Sequence, residues 1–181
     1  MGARPQEATK DPTIAIIHAD GVIMPGKSGE GFLGERFVGD KTMAECFQQV
    51  AKDDKVKAVI FRINSPGGSA LASELIYQSA KSCAAKKPVI VSIEGMAASG
   101  GYYIAMAGQR ILADPAAITG SIGVISGKMA IQGLLDKVGI TTYEVTRGRN
   151  AGLWMSRPWD QREEAVIRKM ATRTYDTFVS R

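Results

Sequence analysis

Two unbroken apolar runs constrain the fold of this chain more than any other feature. They are "AVIF", within "VKAVIFRI" (56–63), and "VIVSI", within "PVIVSI" (88–93). Such runs are typical of strands buried on both faces, which occur in parallel sheets covered by helices. Parallel strands also need long crossover connections, and a helical pattern follows each of the two runs.

Further patterns extend this alternation along the chain. We predict additional strands at 13–19, 110–114, 121–126 and 141–145, and helices at 40–51, 69–85, 100–107, 130–138 and 159–179. Asp40 is a suitable cap for the first helix. The segment 24–39 is glycine-rich without clear periodicity, so we predict a mobile loop there. The element order predicts an α/β fold with a mainly parallel sheet and flanking helices.

Length and composition favour one compact domain. The chain has 181 residues, 45% of them hydrophobic, and we place the domain at 13–181 after a polar tail (1–12) that resembles a linker or a cloning remnant. The net charge of +5 comes from scattered Lys and Arg, so we expect no nucleic-acid partner. Cys46 and Cys83 lack metal-ligand spacing, and we expect neither a disulfide nor a bound metal or cofactor.

The apolar stretches are too short to cross a bilayer, which takes about 18 residues or more, so we expect this chain to be soluble as written. Arg181 ends the chain within an amphipathic pattern that has no cap or breaker. This ending suggests a piece of a longer protein.

Two glycine-bearing turns follow the two apolar runs, "NSPGGS" (64–69) and "GMAASGGYY" (95–103). The carboxyl ends of parallel strands line the crevice where ligands bind, so both turns should face one site. Gly67 and Gly68 can bring backbone N–H groups close to a ligand and act as an oxyanion hole. Taken alone, each motif has an ordinary structural alternative: the first could be a strand-to-helix turn, and Ser99 in the second could simply cap a helix.

The chain resembles the signal peptide peptidase A family, whose fold is related to the Clp protease and crotonase superfamily. The resemblance rests on "INSPGGS", "GMAASGGYYIA" and "TGSIGV", and it extends over residues 13 to 178 through "DDKVKAVIFRINSPGG", "KKPVIVSI" and "GLLDKVGI". It implies that Ser99 is the nucleophile and that Gly68 and Gly100 supply the oxyanion donors. Ser121 corresponds to the serine that hydrogen-bonds the general base.

The general base is the unsolved part of this site. His18 lies on an apolar strand far from both motifs in sequence, and we interpret it as a core or strand-end histidine. A lysine whose pKa is lowered by burial could take the serine proton instead. Family members use such a lysine, and Ala151 stands at its position in the turn 148–151. Arg149 is no substitute, because a guanidinium stays protonated.

Three explanations remain open. This chain could be the C-terminal half of a double-length family member, with the lysine supplied by a homologous domain. It could be a single-domain enzyme in which lysine has been changed to Ala151. Another lysine could serve, of which Lys128 is the best candidate, or the chain could be a non-peptidase scaffold.

The resemblance also implies substrates, partners and location. The substrates would be peptides, notably signal peptides left in the membrane, and the subunits would assemble into a homo-oligomeric ring. The location would be the outer face of the bacterial cytoplasmic membrane, with an anchor outside this chain. The rival classes are an inactive binding or scaffold protein with the same fold and, less favoured, a crotonase-type acyl-CoA enzyme.

Overall fold

The computed structural model describes residues 11–181, so most of the predicted tail lies outside the described residues. In chain order the strands are β1 (Thr13–Asp20), β2 (Val22–Met24), β3 (Gly29–Glu30), β4 (Arg36–Gly39), β5 (Val56–Ser65), β6 (Val89–Ala98), β7 (Arg110–Ala113) and β8 (Ile118–Gly120). The helices are α1 (Asp40–Lys52), α2 (Ala70–Ala84), α3 (Gly100–Ala105), α4 (Gln132–Lys137) and α5 (Gln161–Val179). No helix in this part of the chain combines the length and apolar character needed to cross a membrane.

A five-stranded sheet organises the first part of the chain. Its order is β1-β5-β6-β7, and β8 also pairs with β6, beyond the end of β7. Every pair in this sheet is parallel. The prediction of an α/β fold with a mainly parallel sheet is therefore confirmed.

Helices α1, α2 and α3 pack against this sheet. Phe47 of α1 packs edge-on against Phe61 of β5, with ring centroids 5.1 Å apart. From Val59 to Ser65 of β5, buried residues alternate with half-exposed ones. On the half-exposed side of the neighbouring strand β1, Ile14 and Ile16 are 62% and 54% exposed. The expectation that these strands are buried on both faces is therefore wrong for the chain as described, since apolar sequence alone does not specify what covers each face.

The segment predicted as a mobile loop instead forms a second, small sheet. Its order is β2-β4-β3, with β2 parallel and β3 antiparallel to β4. Asp40 is the first residue of α1 rather than its cap, and its carboxylate accepts a hydrogen bond from the Gly26 amide at 2.5 Å. These pairings join residues distant in sequence, which periodicity within 24–39 does not reveal.

Two predicted strands are absent from the described part of the chain. Residues 121–126 and 141–145 have no regular secondary structure. Within them Ile125 and Val145 are 101% and 98% exposed. High β-propensity produces a strand only where a neighbouring strand offers hydrogen bonds, and β6 instead pairs with residues 118–120.

Of the described residues, 11–122 and Arg181 form one compact unit, and residues 123–180 form a second. In the second unit, α5 begins with a capping box. The Asp160 side chain accepts from the Glu163 amide at 2.7 Å, and the Glu163 carboxylate accepts from the Asp160 amide at 3.0 Å. Arg157 donates twice to the same carboxylate, at 2.7 Å each. The prediction of a single domain over 13–181 stays a prediction.

The donors around Glu163 make a testable contribution to acid stability. Hydrogen bonds from Arg157 and from the Asp160 backbone lower the pKa of Glu163 to about 2. The pKa of an unperturbed glutamate is about 4.3. Because the folded pKa is depressed, this stabilisation is present above the unfolded pKa and is lost as the pH falls towards 2.

We therefore expect Glu163→Gln to lower the thermal unfolding midpoint at neutral pH and to flatten its decline between about pH 5 and about pH 2. Glu164→Gln is the matched control, since Glu164 is exposed in the same helical turn. Midpoints measured by circular dichroism across this pH range test the expectation. Equal slopes for Glu163→Gln and the unmodified protein would contradict it.

Candidate active site

The two glycine turns meet at the carboxyl ends of neighbouring parallel strands. β5 ends at Ser65, which is paired in register with Ala97 near the end of β6. A Cβ added to Gly67 would lie 2.6 Å from the Gly100 nitrogen, and one added to Gly100 would lie 3.3 Å from the Gly68 nitrogen. The turns therefore touch backbone to backbone, as their places after adjacent strands predicted.

Ser99 has an unusual backbone conformation at this junction. Its φ and ψ are 50° and −120°, and it is half-buried between the end of β6 and the start of α3. It occupies the N-cap position of α3, as the alternative interpretation expected, but its side chain makes no capping hydrogen bond. A strained serine at a strand-to-helix turn is typical of a nucleophile held out of the regular backbone path.

The hydrogen bonds of the first turn determine which backbone amides can face a ligand. The Gly67 amide donates to the Ser65 hydroxyl at 3.1 Å. The Ile23 amide donates to the Gly67 carbonyl and the Ser69 amide to the Ile23 carbonyl, each at 2.9 Å. This bridge turns the Gly68 amide away from Ile23. The Gly100 amide opens α3, where a helix has no internal acceptor for it.

Ser121 comes directly after Gly120, the residue whose carbonyl binds the Ser99 amide. The Ser99 amide donates to the Gly120 carbonyl at 2.8 Å, and Gly120 is paired with Ala98. Ser121 itself is exposed and has a φ of 51°. Ser99 and Ser121 are the two residues other than glycine with positive φ in residues 11–181. The pairing of β8 with β6 thus brings the two predicted serines to one end of the sheet.

The predicted position of the base lies in the second unit. Ala151 is exposed in a turn in which its amide donates to the Gly148 carbonyl at 3.3 Å. Lys128 also belongs to this unit, and its Nζ lies 5.3 Å from the centre of the Trp159 ring. This nitrogen is buried and has no hydrogen-bond partner among residues 11–181.

His18 is exposed, so its interpretation as a core histidine is wrong, but it does lie near the end of β1, two residues before Asp20. It pairs in register with Arg62 of β5, which pairs with Ser92 of β6. From Ser92 to Ser99 is about 20 Å of extended strand. His18 therefore cannot reach Ser99 as a base.

A polar cluster that the sequence did not predict joins the two helices behind the site. Glu74 of α2 accepts a hydrogen bond from the Tyr103 hydroxyl of α3, and Arg181 donates to both. Burial alone would raise the pKa of Glu74, but hydrogen bonds from Tyr103 and Gln78 and the Arg181 charge hold that pKa below its usual value. No motif links these residues, because they are distant in sequence.

Known proteins resemble this chain over most of its length. Residues 81–181 match the model of Peptidase family S49. The chain is 39% identical over 167 residues to the chloroplastic serine protease SPPA of Arabidopsis thaliana, covering 91% of this chain and 24% of that protein. It is 37% identical over 169 residues to Protease 4 of Salmonella typhi, covering 93% of this chain and 26% of that protein. The chain thus spans about a quarter of the length of these curated relatives.

A solved structure supports the fold. A serine-to-alanine mutant of the 1510-N membrane-bound stomatin-specific protease matches with a TM-score of 0.51 at 23% identity, covering 66% of this chain and 52% of that one. The molecule has the Clp protease/crotonase-like α/β fold, and its relatives define a class of serine peptidases. This chain belongs to peptidase family S49.

The contact between the turns predicts that Gly67 tolerates no side chain. Gly67 and Gly26 have φ values of +97° and +104°, but a Cβ on Gly26 would meet nothing within 4 Å. Gly26→Ala should therefore cost only backbone strain, about 1 kcal/mol in the free energy of unfolding. Gly67→Ala should cost about 2 kcal/mol more, because its Cβ meets backbone atoms of the second turn.

Denaturant unfolding of the two variants measures this difference. Equal losses would contradict the backbone contact between the turns.

Proposed function

We propose that this chain carries the nucleophile of a Ser/Lys peptidase and that Ser99 attacks the carbonyl carbon of a peptide bond. The observation that carries the proposal is the strained Ser99, whose hydroxyl makes no capping bond, beside the Gly68 and Gly100 amides. Membership of family S49 supports it. A helix cap would hold its hydroxyl on the helix amides, whereas a nucleophile needs it available.

In the proposed reaction, a neutral lysine amine takes the hydroxyl proton as the Ser99 oxygen bonds to the carbonyl carbon. The negative charge that develops on the carbonyl oxygen is stabilised by the Gly68 and Gly100 N–H groups. The lysine then returns the proton to the leaving amine, and the C–N bond breaks. Water hydrolyses the acyl-enzyme by the same proton transfers in reverse order.

We further propose that a homologous domain or subunit supplies the lysine. Two facts support this origin: Ala151 stands where the family resemblance expects a lysine, and the chain spans about a quarter of its curated relatives. Ser121 would then hydrogen-bond the incoming amine. By the same resemblance, the substrates would be peptides, notably signal peptides, and the peptidase would work at a membrane as a homo-oligomeric ring.

Adding a lysine at the expected position tests the proposal. Ala151→Lys should gain hydrolysis of peptide substrates that disappears in the double variant with Ser99→Ala. Ala151→Arg is the matched control, since a guanidinium adds the same charge but cannot accept a proton at ordinary pH. Release of a fluorescent group from a peptide amide measures the gain.

The proposal has a defined failure. The proposal fails if Ala151→Lys and a mixture with a homologous lysine-bearing domain both lack Ser99-dependent hydrolysis, and if Ser99 reacts with a fluorophosphonate in neither case. That result would favour an inactive binding or scaffold protein with this fold.

Lys128 is a second candidate for the base. The burial of its Nζ without a hydrogen-bond partner among the described residues favours it. If Lys128 acts as the base, the unmodified chain should hydrolyse peptides alone, and Lys128→Ala should reduce the rate at least ~100-fold. An inactive unmodified chain that gains activity through Ala151→Lys would rule this candidate out.

A further inference from the structure

Ser65 lies at the point where three backbone segments meet. It ends β5 and is 0% exposed. Its hydroxyl donates to the Gly21 carbonyl at 2.6 Å, in the link between β1 and β2. A Cβ added to Gly101 of the second turn would lie 2.5 Å from the Ser65 carbonyl oxygen. Ser65 therefore contacts both glycine turns and the segment that braces the first.

The Ser65 hydroxyl both donates and accepts a hydrogen bond. While it donates to Gly21, it accepts from the Gly67 amide at 3.1 Å. A serine hydroxyl has one proton, so donation to Gly21 leaves its lone pairs to receive the Gly67 N–H. The hydroxyl thereby holds the Gly67 amide inside the protein and away from any ligand.

The orientation of Gly67 decides that of the next amide. The Gly67 carbonyl is held by the Ile23 amide at 2.9 Å, so both polar groups of Gly67 are engaged. The Gly68 nitrogen is left on the side of Gly100. We propose that Ser65 is a positioning residue that orients the Gly68 N–H as an oxyanion donor. This inference rests on the proposed function of Ser99.

The hydrogen bond itself can be tested without any peptidase activity. In the full chain, Ser65→Ala keeps the Cβ and removes only the hydroxyl. In this variant, amide hydrogen exchange measured by NMR should show that the protection factor of the Gly67 amide falls at least tenfold more than that of the Phe61 amide. Val59→Ala is the control for lost stability, since Val59 is also 0% exposed in β5 but distant from the turn. Unchanged Gly67 protection in Ser65→Ala would overturn the proposal.

The role as a positioning residue is tested with a peptide boronic acid. Boron bonds to the Ser99 oxygen, the hydroxyl proton passes to solvent, and the tetrahedral boronate presents an anionic oxygen to the Gly68 and Gly100 amides. Ser65→Ala should weaken boronate binding at least tenfold, as expected when one oxyanion donor is misaligned. Binding of the same peptide with a C-terminal amide should stay within twofold, and Val59→Ala should change neither affinity.

The outcomes separate this inference from the proposed function. The positioning role of Ser65 would be overturned if Ser65→Ala left boronate affinity unchanged, or if it lowered the affinity for the boronate and for the peptide amide equally. The Ser99 adduct would still support the peptidase in either case. Absence of a Ser99 adduct in every variant, with and without the homologous lysine-bearing domain, while Gly67 protection still depends on Ser65, would overturn the proposed function and the donor role with it.

Discussion

The contact between two glycine turns is the constraint on which the rest of this site depends. Gly67 and Gly100 approach so closely that a single Cβ would meet backbone atoms of the other turn. Such proximity is possible because β5 and β6 are parallel neighbours that end together, with Ser65 beside Ala97. The result is a surface made of amides rather than side chains. Backbone amides held by two strands keep their orientation better than flexible side chains would, which suits stabilisation of a developing charge.

Backbone strain is concentrated at the same end of the sheet. Ser99 and Ser121 have φ values of 50° and 51°, conformations that cost about 1–3 kcal/mol each in residues other than glycine. The strain is sustained because the surrounding backbone is pinned, with the Ser99 amide bound to the Gly120 carbonyl. Behind the turns, Glu74, Tyr103 and Arg181 tie α2 to α3. The regular elements therefore hold an irregular junction in place.

Sequence patterns predicted the elements with strong local signals and missed those that depend on distant partners. The apolar runs around Phe61 and Val91 became central strands, and the predicted terminal helix formed as α5. The small sheet within 22–39 was missed, because its strands are short and its pairing carries no periodicity. Residues 141–145 have strand-like composition, yet no strand among the described residues pairs with them. Propensity describes what a segment tolerates, whereas pairing requires a neighbour.

The sequence by itself determined the two central strands with a helix after each, the presence of a serine between small residues, and the glycine turns after two adjacent strands. These features are local, since chain connectivity and side-chain size decide them. Only the tertiary structure decided that Ser99 is strained and makes no side-chain cap, that His18 is exposed and remote, and that Ser65 accepts a hydrogen bond from the Gly67 amide. The physical reason is that a hydrogen bond between distant segments depends on how strands align. No pattern along one segment contains that alignment.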